Sequence, residues 1–476
     1  MKSHLTHPST PRILLDVSYT ISSSRNSGIE RVVRNIRNHW MQMARESQLK
    51  IICVVSYAGQ FYEVTPELEA TFARQADIDR NVLDTLPKFY SWTASLLCGL
   101  VRYEFLRRWL LPEPGHLGVF KIMSELCERS IRRGIRKLPE IADFSEQDLV
   151  VMPDAYWTEM QAFDAAKHAR RNGATIVTLL YDLIPITHPE TVGLQRSRDF
   201  LEYFRQTCLT ADTLVAISKT VRDEVREAIP RLFACDNQSD TRVLCTDVRS
   251  FRLGADVPKA KSLLASPNLV DSTLRDLFDS DPNNKPYLMV SMFDPRKNHR
   301  YVLDAFDSIW DKGLPVRLCM VGRKGNLCAD VLNRIADHPQ LNKKLFVFHQ
   351  ANDADLVFCY QNAAAAMMPS IAEGFGLPIV ESMHLGCDTM ASDIPVHREV
   401  GDANCQYFDI RDPNSLSTMV MEHHEKRTAS KPTPRSGTSS NHHITTWSES
   451  AKELLALILD VYREKQVDSR HVSRAA

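Results

Sequence analysis

The chain has 476 residues, 43% of them hydrophobic and 25% charged, which is too long for one typical core and suits two or three globular domains. Its 58 basic and 59 acidic residues leave a formal net charge of −1, which excludes a global field that gathers nucleic acid, so any anion site must be local. Eleven cysteines, odd in number and without a C-x-x-C pair, argue against a disulfide framework or a zinc site and for reduced thiols in a cytosolic setting.

The opening Met1-Lys2-Ser3-His4-Leu5 has no apolar leader, and no stretch reaches the length of a membrane span, so the expected location is the cytoplasm. Residues 12–17 read as a strand, 28–40 as a helix starting at Gly28, and 51–55 as a second strand. From about 91 to 140, apolar clusters alternate with Arg102, Arg107, Arg108, Arg129, Arg132, Arg133, Arg136 and Lys137. A basic amphipathic insertion of this kind can touch the inner face of a membrane peripherally or bind a charged acceptor. It can equally pack its apolar side on the domain and leave its arginines in water.

Residues 149–152, 175–180 and 213–217 are further apolar strands, each followed by a helix-compatible stretch. The rhythm pauses between about 236 and 281 and resumes with strands at 286–290, 316–321, 345–348, 365–368 and 389–391. Apolar strands alternating with helices imply parallel sheets covered on both faces. The expected class is therefore α/β, with two Rossmann-like doubly wound domains facing a central cleft, where such sheets bind ligands at their strand ends. The expected domains are 1–255, carrying the insertion, and 275–424, followed by a flexible linker at 425–446 and a helix at 447–465 that packs back on the first domain.

Two carboxylates bracket a glycine turn in Ala372-Glu373-Gly374-Phe375-Gly376-Leu377-Pro378-Ile379-Val380-Glu381-Ser382. Gly374 and Gly376 allow close backbone approach, and Pro378 suits the first turn of a helix, so a helix N-terminus opens there and favours a phosphate or a sugar hydroxyl. Glu373 and Glu381 could then grip the two ends of an elongated ligand such as a nucleotide sugar. The alternative is a surface loop with two solvated glutamates.

At the end of the strand at 286–290 comes Ser291-Met292-Phe293-Asp294-Pro295-Arg296-Lys297-Asn298-His299. Arg296 can bind phosphate bidentately and Lys297 as a point charge, and fixed cations stabilise a departing diphosphate more than the ground state. A solvated surface pair is the alternative for these two as well.

Taken with the stretch from Pro369 through Glu381 to Ser392-Asp393-Ile394-Pro395-Val396-His397-Arg398-Glu399-Val400-Gly401-Asp402, these motifs resemble glycosyltransferase family 4, the group 1 glycosyltransferases of the GT-B fold. The resemblance implies a retaining transferase whose second domain holds a nucleoside-diphosphate sugar. Glu373 would bond hydroxyls of the transferred sugar and Glu381 the ribose. Gly374, Phe375, Gly376 and Leu377 would form the turn facing the sugar and diphosphate, and Arg296 and Lys297 would clamp the diphosphate. The leaving phosphate would itself take the acceptor proton, so no enzymic nucleophile, metal or other cofactor is implied.

In the first domain, Asn26-Ser27-Gly28-Ile29-Glu30-Arg31 looks like the family's glycine turn, with Gly28 near the donor phosphate or simply starting a helix. Tyr181-Asp182-Leu183-Ile184-Pro185 stands where many relatives carry His-Asp, so Asp182 becomes the candidate for orienting the acceptor, or else caps the next turn. Ser218 is expected to cap the helix after residues 213–217. Two further departures are Ser291, where a glycine usually opens the Arg-Lys loop, and Met292, where some relatives place a basic residue. Asp353-Ala354-Asp355 has a metal-site spacing but reads as a helix start.

The Pro295-Arg296-Lys297-Asn298 loop looks like that of bacterial polysaccharide mannosyltransferases, so the preferred donor is GDP-mannose and the preferred acceptor a glycan or lipid-linked glycan. Transfer of rhamnose or glucose, or a catalytically silent glycan-binding or scaffold subunit, are the competing readings.

Overall fold

The computed structural model describes residues 10–22, 28–66, 69, 135, 138–158, 160–233, 246–256, 269–429 and 445–475. The expected basic insertion, apart from residues 135 and 138–140, lies outside them, as do Asn26, Ser27 and residues 430–444 of the expected linker. The chain divides into two compact units, Met1–Leu179 with Gln206–Thr213 and Ile458–Ala476, and Leu180–Arg205 with Leu214–Leu457.

Eight strands, β1 (Arg12–Asp16), β2 (Lys50–Tyr57), β3 (Gln60–Glu63), β4 (Glu140–Ile141), β5 (Asp148–Met152), β6 (Thr175–Leu180), β7 (Thr213–Ala216) and β8 (Asp247–Ser250), form one sheet in the order β4-β3-β2-β1-β5-β6-β7-β8. The central β1 runs parallel to both neighbours, with Leu14 opposite Ile52 and Val150. Its Ile13, Leu14 and Leu15 are fully buried, as expected of a strand with both faces covered.

Contrary to the all-parallel reading, β3 pairs antiparallel with β2 and β4 with β3. Ala58 and Gly59 both have positive φ, which is the backbone of a tight two-residue hairpin.

The second sheet lies in the second unit and contains β9 (Tyr287–Val290), β10 (Leu318–Val321), β11 (Leu345–Phe348), β12 (Ala366–Met368), β13 (Thr389–Ser392) and β14 (Cys405–Phe408). Its order is β11-β10-β9-β12-β13-β14, and every pairing is parallel. That is the Rossmann order 3-2-1-4-5-6, whose direction reverses between its first and fourth strands, here β9 and β12. In sheets of this order ligands bind outside the carboxyl ends of the strands at the reversal, here β9 and β12.

The expected helix start at Asp353 is observed: Asn352 accepts from the N–H groups of Ala354 and Asp355, and Asp355 answers the N–H of Asn352. Residues 425–429, read from sequence as the start of the linker, extend the helix Ser415–Ala429. The last helix runs Trp447–Ala475. Near its start Ser450 Oγ donates to the Arg252 carbonyl at 2.7 Å, and farther along Lys465 Nζ donates to Asp212 Oδ2 at 2.9 Å. Among the described residues no helix is long and apolar enough to cross a membrane.

Candidate functional site

The loop after β9 is shaped by its own short polar side chains. Asp294 accepts from the Arg296 N–H at 3.2 Å and opens a single 3-10 turn, Pro295–Lys297, whose proline has no N–H to leave unpaired. Asn298 follows at φ 57°, in the left-handed region that asparagine tolerates, and redirects the chain into the helix His299–Asp311. The carbonyl of Arg296 accepts from the N–H of Ile371 at 2.8 Å, which ties this loop to the one after β12.

That tie brings Arg296 and Lys297 onto Glu373. Arg296 Nη1 donates to Glu373 Oε2 at 2.9 Å, Lys297 Nζ donates to Oε1, and Ser370 Oγ donates to Oε1 at 2.7 Å. The three charged side chains are only 22%, 13% and 11% exposed, for Arg296, Lys297 and Glu373 respectively. Burial alone would raise the carboxyl pKa, but Lys297 and Arg296 outweigh it and hold Glu373 well below the usual carboxylate range. Burial, with Arg296 beside it, pushes the Lys297 ammonium down against the pull of Glu373. Asp182 is pushed up by burial, opposed by Arg296.

One carboxylate thus stands between two cations. Asp294 Oδ1 also lies 3.6 Å from Arg296 Nε, so the cations are held by carboxylates on more than one side, and a Glu373 carboxylate with about four lone pairs and three donors can still accept from a sugar hydroxyl.

The glycine turn has two different constraints. A Cβ at Gly374 would lie closer than 3.0 Å to the Tyr181 carbonyl oxygen, so here the absent side chain admits a neighbouring protein strand end as well as any ligand. The Gly374 carbonyl accepts from Ser218 Oγ at 2.8 Å, and Ser218 Oγ also accepts from the N–H of Val221, capping the helix Lys219–Phe233 as expected. Gly376 has φ +91° and caps the helix Leu377–His384, with Pro378 in its first turn. Phe375 is buried and Leu377 partly buried. Glu381 is 6% exposed and sits within the helix, farther from the cations than Glu373 is in sequence.

The remaining predicted residues have plainer surroundings. Asp182 Oδ1 accepts from the Ile184 N–H at 3.1 Å, so it caps the next turn while lying in the electrostatic field of Arg296, Glu373 and Lys297. Ser291 Oγ lies 3.2 Å from His299 Nε2, and Met292 is exposed. Gly28, in the first unit, begins the helix Gly28–Glu46, is exposed, and would place a Cβ near no atom within 4 Å.

Three residues that matter to this geometry were not singled out from sequence. Ser370 bonds Glu373. Ser392 Oγ donates to the Ser370 carbonyl at 2.6 Å. Glu399 accepts from the N–H groups of Lys219 and Thr220, each at 2.7 Å. All three lie in stretches quoted for the resemblance, but only tertiary proximity reveals what they hold.

A family model described as Glycosyl transferases group 1 matches residues 272–415, the stretch that carries Arg296, Lys297, Glu373 and Glu381. Residues 272–415 are thus similar to the group 1 glycosyltransferases.

The chain has curated relatives. The serotype-specific mannosyltransferase WbdA of Escherichia coli is 30% identical over 293 residues, covering 60% of this chain and 34% of the relative. The O-antigen chain mannosyltransferase RfbU of Salmonella typhimurium is 26% identical over 146 residues, covering 30% of this chain and 40% of the relative. The chain therefore spans about a third of the length of WbdA.

Among solved structures, the catalytic domain of starch synthase IV from Arabidopsis thaliana, bound to ADP and acarbose, aligns with TM-score 0.52 and 12% identity over 96% of this chain and all of that one. Anabaena HepE in complex with UDP and glucose aligns with TM-score 0.50 and 13% identity over 97% of this chain and all of that one. At these identities the likeness concerns the fold, which is GT-B.

Proposed function

We propose that the chain is a retaining glycosyltransferase that moves a hexose, with mannose from GDP-mannose the preferred case, from a nucleotide sugar to a glycan or lipid-linked acceptor in polysaccharide biosynthesis. The observation that carries this reading is the Arg296–Lys297–Glu373 constellation at the reversal between β9 and β12. Support for mannose comes from the similarity to WbdA and RfbU, both mannosyltransferases.

In the proposed reaction Arg296 and Lys297 hold the diphosphate and stabilise the charge that grows on it as the sugar C1–oxygen bond breaks. The acceptor hydroxyl forms the new bond to C1 on the same face, and its proton passes to the departing phosphate oxygen. Glu373 positions the sugar, Glu381 the ribose, and Asp182 the acceptor. Most of the acceleration then comes from orientation and fixed charge, without a covalent enzyme intermediate.

The test is transfer from GDP-mannose to an oligomannose acceptor, with the product anomer read by NMR. An α-linked product from the α-configured donor is expected, and an inverted β-linked product, or no transfer from any nucleotide hexose, would overturn the reading.

A further inference from the structure

His397 meets the same turn from a third direction. It lies in the helix Pro395–Gly401 and is 1% exposed. Its Nδ1 is 3.1 Å from the Ser392 carbonyl oxygen and 3.0 Å from Ser392 Oγ. A carbonyl only accepts, so Nδ1 carries the ring hydrogen and Nε2 keeps a lone pair. Among the described residues Nε2 has no hydrogen-bond partner. It is turned toward the glycine turn: a Cβ built on Gly376 would lie 3.4 Å from His397 Cδ2 and 3.6 Å from Nε2.

The ring is linked through Ser392 to Ser370, the residue that bonds Glu373. Ser392 Oγ, beside His397 Nδ1, donates to the Ser370 carbonyl, while Ser370 Oγ donates to Glu373. Burial holds the imidazole neutral, with its pKa down at about 4 although Glu373 pulls the other way.

We propose that His397 is a further donor-site residue whose Nε2 accepts a hydrogen bond from a hydroxyl of the transferred hexose. This rests on the donor-site reading above and adds a specificity contact to it. A lone pair repels phosphate oxygens, so the partner must bring its own hydrogen. At this turn the ligand group that does so is the sugar.

Two substitutions separate the contact from the anchoring. His397→Asn places an amide nitrogen near the Nδ1 position, keeping the Ser392 bond and removing the Nε2 acceptor. His397→Gln places an amide near Nε2 and drops the Ser392 bond. Titration calorimetry with GDP and GDP-mannose, and with UDP and UDP-glucose, reads both.

His397→Asn is expected to bind the nucleoside diphosphate as the wild type does and its hexose conjugate about tenfold more weakly, the size of one lost hydrogen bond. His397→Gln is expected to retain most of the conjugate's affinity. The His397 Nε2 ¹⁵N resonance is expected to move with the conjugate and stay put with the diphosphate alone.

An Asn variant that binds the conjugate normally, or loses diphosphate and conjugate equally, would overturn the inference, as would a Gln variant weaker than the Asn variant. If the wild type binds both ligands, such a result sinks only the role of His397. If the wild type binds none of the four, the donor-site reading falls and takes this role with it.

Discussion

A Cβ built on Gly374 would lie closer than 3.0 Å to the carbonyl oxygen of Tyr181, nearer than real Cβ atoms approach backbone. The neighbour is main chain, so it cannot rotate away as a long side chain can. Ser218 holds the Gly374 carbonyl at 2.8 Å and resists the shift as well. Gly374→Ala is therefore expected to move the turn that carries Glu373 and to lower transfer by about 100-fold, the scale of a 1 Å misplacement at a reacting centre. A radiolabelled-sugar transfer assay checks this, and an alanine variant with wild-type rate would show that the turn tolerates displacement.

Glu373→Gln tests the charge balance. A glutamate that only faced ligand could be replaced with little effect on the fold, but here its carboxylate is ion-paired with two partly buried cations. The variant is expected to lose transfer and also about 3–5 kcal/mol of stability, the range seen when one member of a buried pair is removed. Chemical denaturation reads the second effect independently of activity. Unchanged stability would mean that water, rather than Glu373, satisfies Arg296 and Lys297.

Glu399 caps a helix that is distant in sequence. Its carboxylate receives the N–H groups of Lys219 and Thr220 and the Thr220 hydroxyl, each at 2.7 Å. It thereby serves both the unpaired donors and the positive dipole end of the helix Lys219–Phe233. Glu399→Gln keeps the shape and removes the charge, and should destabilise by about 1–2 kcal/mol. High salt is expected to shrink the difference between the two proteins, and a salt-independent difference would point to packing instead.

Asp16, at the end of β1, gives a pH dependence. Burial raises its pKa from 3.8 to about 7, against hydrogen bonds from Ser18, and nearby Asp154 adds to the rise. The native state therefore holds this proton more tightly than the unfolded chain. Its stabilising contribution is complete below pH 3.8 and is lost as pH climbs through 7. Asp16→Asn lacks that titration, so the stability of wild type relative to the variant should fall with rising pH by up to about 1.4 kcal/mol per unit across the window. A pH-independent difference in denaturation midpoints would contradict the assignment.

The pieces of the site that depend on local chemistry were legible in the chain. Glycines at 374 and 376, a proline at 378 and adjacent cations at 296 and 297 define their own turns, and the apolar runs of β1, β5, β6 and β9 to β13 define buried parallel strands. Strands β3, β4, β8 and β14 were not legible, because Gln60–Glu63, Asp247–Ser250 and Cys405–Phe408 lack apolar runs, and Glu140–Ile141 has two residues. Nor was the pairing of Glu373 with Arg296 and Lys297. Sequence gave each group to a ligand, whereas the reversal in strand order brings them together across 77 and 76 positions. His397 stood in a quoted motif, but the role proposed for it depends on a tautomer fixed by Ser392 and on the ring's place beside Gly376, where a Cβ would lie 3.4 Å from it.

Diphosphate binding by Arg296 and Lys297 is tested most directly by titrating GDP, UDP and ADP into the wild type and the double variant Arg296→Met, Lys297→Met, with thermal unfolding used to confirm that both are folded. Saturable binding of at least one nucleoside diphosphate is expected in the wild type, with affinity at least about 100-fold weaker in the double variant, since each charge-assisted bond is worth about 1.5–3 kcal/mol. Equal affinity in the two proteins, or no binding of any nucleoside diphosphate by the wild type, would contradict a donor site at Arg296, Lys297 and Glu373.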